Sequence, residues 1–360
     1  MDEFDCSTRI ISGYGTVRHL AELEAKRLFL VTDPYFAKNG VADRVAKASR
    51  AEQVAFFSEV KPDPTVELAA EGTAKLRAFG ADVIVALGGG SAMDCAKAMA
   101  FFSKGDAKLV AIPTTSGSGS EVTDFAILTH NKVKHPLVDK RLRPAVAILD
   151  DDLLQEMPAS LVADTGFDLL THAVEAFVAT DAGTFSDMLA QEAFRSAYGA
   201  LPASYAGRRG MRLKVHQAAT MAGMAFTQAG LGLCHAMAHA LGGMFHVPHG
   251  QLNAVLLPSV VATNAHVATA KYAQLARSCG MGSTADTIAV RNLRNNLIRL
   301  RRELKLPETL AQAGIAPGAL RSAMNDVVSA TLSDPCCKTN PMKVEDFLVR
   351  RILEEVTGRV

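Results

Sequence analysis

From Val215 to Ala270 the chain has no Asp, Glu, Lys or Arg, yet it holds six of the ten histidines: His216, His235, His239, His246, His249 and His266. A buried region around a site is the better reading of such a stretch. Gly, Pro, Gln and His interrupt it too often to leave the ~18 continuous apolar residues of a membrane span. Buried imidazoles need partners, because an unsatisfied polar group is costly in an apolar interior. The stretch therefore reads as the surroundings of a polar site. His235 and His239 are one helical turn apart and share a face, and His246 and His249 follow, with Pro248 and Gly250 marking a loop. Upstream, Asp168 and His172 repeat the one-turn spacing on a predicted helix.

A lone helical His is ordinarily structural, and an Asp-x-x-x-His pair alone is a weak sign of a ligand. His-x-x-x-His followed by His-x-x-His in an uncharged stretch is hard to explain without a metal. Three neutral imidazoles and one carboxylate suit Fe²⁺ or Zn²⁺. Such a set keeps net positive charge and can stabilise an alkoxide, the Lewis-acid role that hydride transfer from an alcohol requires. Spacing alone does not select four ligands from the six histidines and the Asp168–His172 pair. The HExxH pattern of a zinc protease is missing from the sequence.

A chain of 360 residues is long for one core and predicts two domains. A formal net charge of +1 offers no polyanion-binding surface, so nucleic acid is excluded as a partner. Six cysteines without CxxC spacing read as reduced thiols of a cytoplasmic protein. The acidic start, Met1 to Asp5, lacks the apolar segment of a signal peptide. Apolar runs at 27–32, 53–57, 81–87 and 109–112 predict strands. Helical spacing covers 41–50, 65–79 (with Thr65 as N-cap) and 92–102. Alternating strands and helices imply a mostly parallel α/β sheet. Beyond about residue 155 only helical periodicity remains, at 160–180, 186–204, 211–244, 252–279 and 284–304. The expected division is an α/β domain over 1–158 and an all-α domain over 159–360.

Two loops in the α/β part suggest a dinucleotide. Gly88-Gly89-Gly90-Ser91 joins a buried strand to a helix, where close backbone approach and a helix N-terminus can cradle phosphate. Taken alone, it could be a plain tight turn. Pro113-Thr114-Thr115-Ser116-Gly117-Ser118-Gly119-Ser120-Glu121 follows the next strand with a dense array of hydroxyls. Asp33, ending an early strand, can accept from an adenosine ribose and repel a 2′-phosphate; a turn Asp before Pro34 is the plainer alternative.

With these segments in view, the chain resembles the iron-containing alcohol dehydrogenases. Gly88 to Lys97 is similar to their GGGSxxDxAK segment, with Asp94 at its acidic position, and Pro113–Thr123 to their second cofactor loop. Asp168 to Ala176 matches their D-x-x-x-H-A-x-E-A helix, and His235 through Gly250 their long histidine signature. The resemblance implies a Rossmann-like domain plus an all-α domain, the dehydroquinate synthase-like fold, in a homodimer. It implies metal ligands Asp168, His172, His235 and His249, and His239 lining the site with a part in proton relay. It also implies cofactor contacts by Asp33, Gly88, Gly89, Gly90, Ser91, Asp94, Thr114, Thr115, Ser118 and Lys134, and a substrate contact by Phe226. Cys336, in the turn Asp334-Pro335-Cys336, is expected near the cleft. Two departures stand out: Asp63 where many members carry Asn, and His246 where others often have Asn, Asp or Tyr.

The expected activity is NAD(H)-dependent interconversion of short-chain primary alcohols and aldehydes with Fe²⁺, or Zn²⁺, in the cytoplasm or a bacterial microcompartment. The rivals are a diol or hydroxyacid dehydrogenase of the same fold (glycerol, lactaldehyde, 4-hydroxybutyrate) and a catalytically idle NAD-binding relative.

Overall fold

The structure, a computed structural model, describes Phe4–Asn131 and Val133–Gly358; the acidic residues Met1–Glu3 lie outside the described residues. The described residues divide into two compact units, one over 5–157 and one over 158–358 together with Phe4.

The first unit contains strands β1 (Arg9–Gly13), β2 (Arg27–Val31), β3 (Gln53–Phe57), β4 (Val83–Gly88), β5 (Lys108–Pro113), β6 (Phe125–His130), β7 (Val133–Val138) and β8 (Val146–Asp150). Its helices are α1 (Pro34–Lys38), α2 (Val41–Ser49), α3 (Val66–Phe79) and α4 (Gly90–Ser103). Six strands form a sheet in the order β1-β8-β5-β4-β2-β3, every pairing parallel. β6 and β7 form a separate antiparallel hairpin. Both faces of the sheet are covered. Leu28, Leu30, Val83, Val85, Val110 and Ile112 pack with α2 on one side. The alternate residues Phe29, Val31, Ile84, Ala86, Leu109 and Ala111 pack with α3 and α4 on the other. Two-sided burial is why the strands read as continuous apolar runs. Thr65 caps α3, its Oγ1 accepting from Leu68 N at 3.1 Å.

The sequence reading passes over β1, β6, β7 and β8. β1 is an edge strand with exposed and half-buried residues, so it lacks a long apolar run.

The second unit is helical: α5 (Ala159–Val178), α6 (Thr184–Tyr205), α7 (Met211–Ala229), α8 (Leu233–Phe245), α9 (His249–Ser278), α10 (Asp286–Glu303), α11 (Pro317–Ser333) and α12 (Asp346–Thr357). α5 is the central element and packs against α6, α7 and α9. The single helix expected over 211–244 is two. Gly230 adopts φ +79 and Gly232 opens α8 in extended conformation, so the chain turns between them. A Cβ on Gly230 would also lie 2.5 Å from Thr339 Oγ1. α11 and α12 are further helices that the sequence reading did not single out. Among the described residues no helix is long and apolar enough to cross a membrane.

Candidate active site

α5 carries Asp168 and His172 one turn apart, α8 carries His235 and His239, and α9 begins at His249. Their side chains converge. Asp168 Oδ1 lies 3.6 Å from His235 Nε2 and 3.4 Å from His249 Nε2. His172 stacks on His235 with centroids 4.4 Å apart and on Phe226 at 4.5 Å. Asp168, His172 and His235 each offer a ligand atom within 4.8 Å of the others. Bonds of about 2.1 Å to a tetrahedral cation give edges of about 3.4 Å, close to the separations of Asp168 Oδ1 from His235 and His249.

Local features aim these groups. The backbones of α5 and α9 meet at Gly250, where a Cβ would stand 1.9 Å from Asp164 O. Only glycine lets α9 start there and bring His249 to Asp168. Glu175, one turn beyond His172 and 2% exposed, caps α8. Its carboxylate accepts from the N–H groups of Gly232 (3.0 Å) and Cys234 (2.6 Å) and pairs with His235 Nδ1 at 2.6 Å. Glu175 therefore holds the Nδ1 proton and turns Nε2, the nitrogen that would ligate a metal, toward Asp168. Burial alone would lower the His235 imidazole, but the hydrogen bonds and charges of Asp168 and Glu175 carry it up to about 9. Burial pushes the Asp168 carboxyl up; His172, His249 and His235 more than reverse this and hold it well below the usual carboxylate range.

His239 stacks on His249 with centroids 5.2 Å apart, while its Nδ1 pairs with Asp334 Oδ2 at 2.9 Å. His246 is exposed in a left-handed C-cap of α8 (φ +56), and His266 is exposed on α9. His216 is buried in α7. The structure thus separates four converging donors plus His239 from the other histidines of the uncharged stretch.

In the first unit, the sheet order places the carboxyl ends of β5, β4 and β2 side by side. These ends carry the hydroxyl loop, the glycine loop and Asp33. The order reverses between β2 and β4, a topological switch point where open α/β sheets bind ligands. Gly88 has φ +147, and a Cβ there would meet Ala92 Cβ at 2.7 Å. The two loops touch: Cβ positions on Gly89 and Gly90 lie 3.2 Å from Thr115 Oγ1 and 3.5 Å from Ser118 Oγ. Thr114 N donates to Gly88 O at 2.9 Å. Asp33 Oδ1 caps α1 through Tyr35 N (2.8 Å) and Phe36 N (3.1 Å), while Oδ2 is 3.7 Å from a Cβ on Gly88. Lys134 pairs with Asp63 at 2.7 Å. Asp94 accepts from Ser120 Oγ at 3.1 Å, beneath the hydroxyl loop. Burial raises its pKa to about 6 against the opposing charge of Lys97.

Sequence reasoning gave no role to Glu175, Asn253, Asp334 or Lys97. Asn253 Nδ2 donates to Asp168 Oδ1 at 2.7 Å and lies 3.2 Å from His249 Nε2. Lys97 is buried and donates to Thr123 O, Thr123 Oγ1 and Phe125 O at 2.8–3.0 Å, tying α4 to the end of the hydroxyl loop. Their signal was position: Asn253 lies one turn after His249, and Glu175 and Lys97 stand inside recognised motifs.

Residues 162–357 match the model of the Fe-containing alcohol dehydrogenase family, C-terminal, and residues 7–151 that of iron-containing alcohol dehydrogenase. The 1-propanol dehydrogenase PduQ of Salmonella typhimurium is 38% identical, over 99% of this chain and 100% of its own. An NADPH-dependent butanol dehydrogenase of Clostridium saccharobutylicum is 35% identical, over 98% and 97%. Among solved structures, a 1,3-propanediol oxidoreductase aligns with TM-score 0.93 at 31% identity, covering 99% of this chain and 100% of its own. The iron containing alcohol dehydrogenase from Thermococcus thioreducens aligns at 0.91 and 32%, covering 98% and 99%. With both halves of the chain matched by that family's models and full-length relatives at 35% and 38% identity, the chain belongs to the iron-containing alcohol dehydrogenases.

Proposed function

We propose that this chain interconverts short-chain primary alcohols and aldehydes with NAD(H), using a divalent metal held by Asp168, His172, His235 and His249. The observation that carries the reading is the convergence of three imidazoles and one carboxylate from α5, α8 and α9. When bound, Fe²⁺ or Zn²⁺ supplies Lewis acidity that makes an alcohol oxygen easier to deprotonate. The chain's residues do the rest. Glu175 and Asn253 orient the donors. His239, oriented by Asp334, moves the hydroxyl proton. Phe226 walls the substrate pocket beside His172. Gly88, Gly89, Gly90 and Ser91 cradle the pyrophosphate, and Thr114, Thr115, Ser118 and Lys134 complete the cofactor site. Asp94 holds the hydroxyl loop in place through Ser120. Asp33 favours NAD(H) through the ribose hydroxyls.

Full-length similarity to a 1-propanol and a butanol dehydrogenase supports short linear substrates. Similarity to a 1,3-propanediol oxidoreductase supports diols as a second reading. All six cysteines are free thiols, which suits a reducing cytoplasm. Two further expectations of the family resemblance have direct tests: microcompartment association by co-purification, and a homodimer by light scattering.

The decisive experiment is anaerobic NADH oxidation with propanal, on chelator-stripped protein with Fe²⁺ or Zn²⁺ restored, beside His249→Ala. Activity should return with metal in the wild type alone. Tight NADH binding without turnover of propanal, 1,3-propanediol or glycerol would overturn the reading in favour of an idle cofactor-binding relative.

A further inference from the structure

A second group of metal-ligating side chains lies in the helical unit and contains sulfur. Asp334 follows α11 and opens a 3₁₀ turn, Pro335–Lys338, that carries Cys336. Asp334 Oδ1 accepts from Cys336 N at 2.9 Å, which locks the turn, while Oδ2 reaches His239 Nδ1 at 2.9 Å. One ligand atom from each of His239, Asp334 and Cys336 lies within 4.8 Å of the others. None is sealed from solvent: the His239 and Asp334 side chains are 29% and 14% exposed, and Cys336 is half-buried.

We propose that His239, Asp334 and Cys336 form a second cation site, selective for thiophilic divalent ions, whose occupation withdraws His239 from the reaction. The Asp168 group offers only nitrogen and oxygen. A thiolate shifts preference toward the zinc group and away from hard ions such as Mg²⁺. Coordination balances simply. The Cys336 thiol proton leaves to solvent, the cation replaces the proton on His239 Nδ1, and that proton passes through solvent to Nε2. One proton is released per ion bound. Nε2 is then no longer an acceptor, so His239 cannot take a proton from an alcohol. The inhibitory consequence rests on the relay role proposed above for His239; the binding site does not.

The test is a Co²⁺ titration of chelator-stripped protein under anaerobic conditions, followed by visible and near-ultraviolet spectroscopy. The wild type should bind two equivalents, the second bringing a thiolate-to-cobalt charge-transfer band. Cys336→Ser and Asp334→Ala should keep one equivalent and lose the band. His249→Ala should keep the band, and Cys337→Ser should keep both equivalents. A single equivalent in the wild type, or a band that survives Cys336→Ser, overturns the proposal. In the propanal assay, excess Zn²⁺ should inhibit the wild type and spare whatever activity Cys336→Ser retains. If no variant reduces propanal, the function reading fails while the cobalt stoichiometry still decides this site.

Discussion

The side-chain nitrogen of Asn253 sits 2.7 Å from Asp168 Oδ1 and 3.2 Å from His249 Nε2, so one buried amide touches two of the four proposed ligands. Its Oδ1 faces the Cys234 thiol at 3.5 Å, which orients the NH₂ group toward Asp168. Residues that orient ligands typically set metal affinity by 10- to 100-fold. Asn253→Leu should therefore weaken metal binding by about 10- to 100-fold. Competition with a chromophoric chelator measures it. Unchanged affinity in a folded variant would reduce Asn253 to packing.

Glu175 both caps α8 and fixes His235. Glu175→Gln keeps the shape but presents an NH₂ group to donors already in place. Hydrogen bonds to charged groups are worth about 1.5–3 kcal/mol, so the loss should be of about that size. Urea unfolding of the metal-free protein reads the stability, and a weaker metal complex should accompany it.

Gly250 governs the approach of α9 to α5. Gly250→Ala puts a methyl 1.9 Å from Asp164 O, and backbone atoms cannot swing aside as a flexible side chain can. The start of α9 must move and carry His249 with it. Loss of bound metal by elemental analysis, with helical circular dichroism retained, is the expected result.

Asp33 has one oxygen committed to α1 and the other beside Gly88. A 2′-phosphate there would meet a carboxylate. Asp33→Ser keeps a cap and removes the charge, so the ratio of kcat/KM for NADPH over NADH should rise by about tenfold or more, at least 1.4 kcal/mol. A ratio that stays put would assign Asp33 to capping alone.

Lys97 ties α4 to the end of the hydroxyl loop through three acceptors. Lys97→Met removes that shared donor, at a cost of about 1–3 kcal/mol for a buried acceptor that water does not reach. The expected outcome is a lower melting temperature together with a raised KM for NADH, seen in thermal scans and steady-state kinetics. A stability loss with unchanged KM would separate the loop from cofactor binding.

Much of this site was legible in the sequence because it depends on short-range periodicity. Asp168 with His172 and His235 with His239 are one turn apart, and any helix puts such pairs on one face. Buried parallel strands announce themselves as continuous apolar runs, and glycines mark where the backbone must turn or approach closely. The sequence by itself therefore determined the α/β-then-helical order, the glycine loop and the candidate ligands, the last narrowed by family resemblance. Long-range pairing decided the rest. Only the strand order brings Asp33, early in the chain, beside Gly88, because β4 pairs with β2 rather than with its chain neighbour β3. Only packing brings Glu175 to His235 and Asp334 to His239, residues 60 and 95 positions apart. Only packing leaves His246 in solvent while His249, three residues on, turns inward at a glycine contact. Periodicity is a property of one segment; which segment meets which is set by burying all their apolar faces at once, and no single stretch of sequence carries that information.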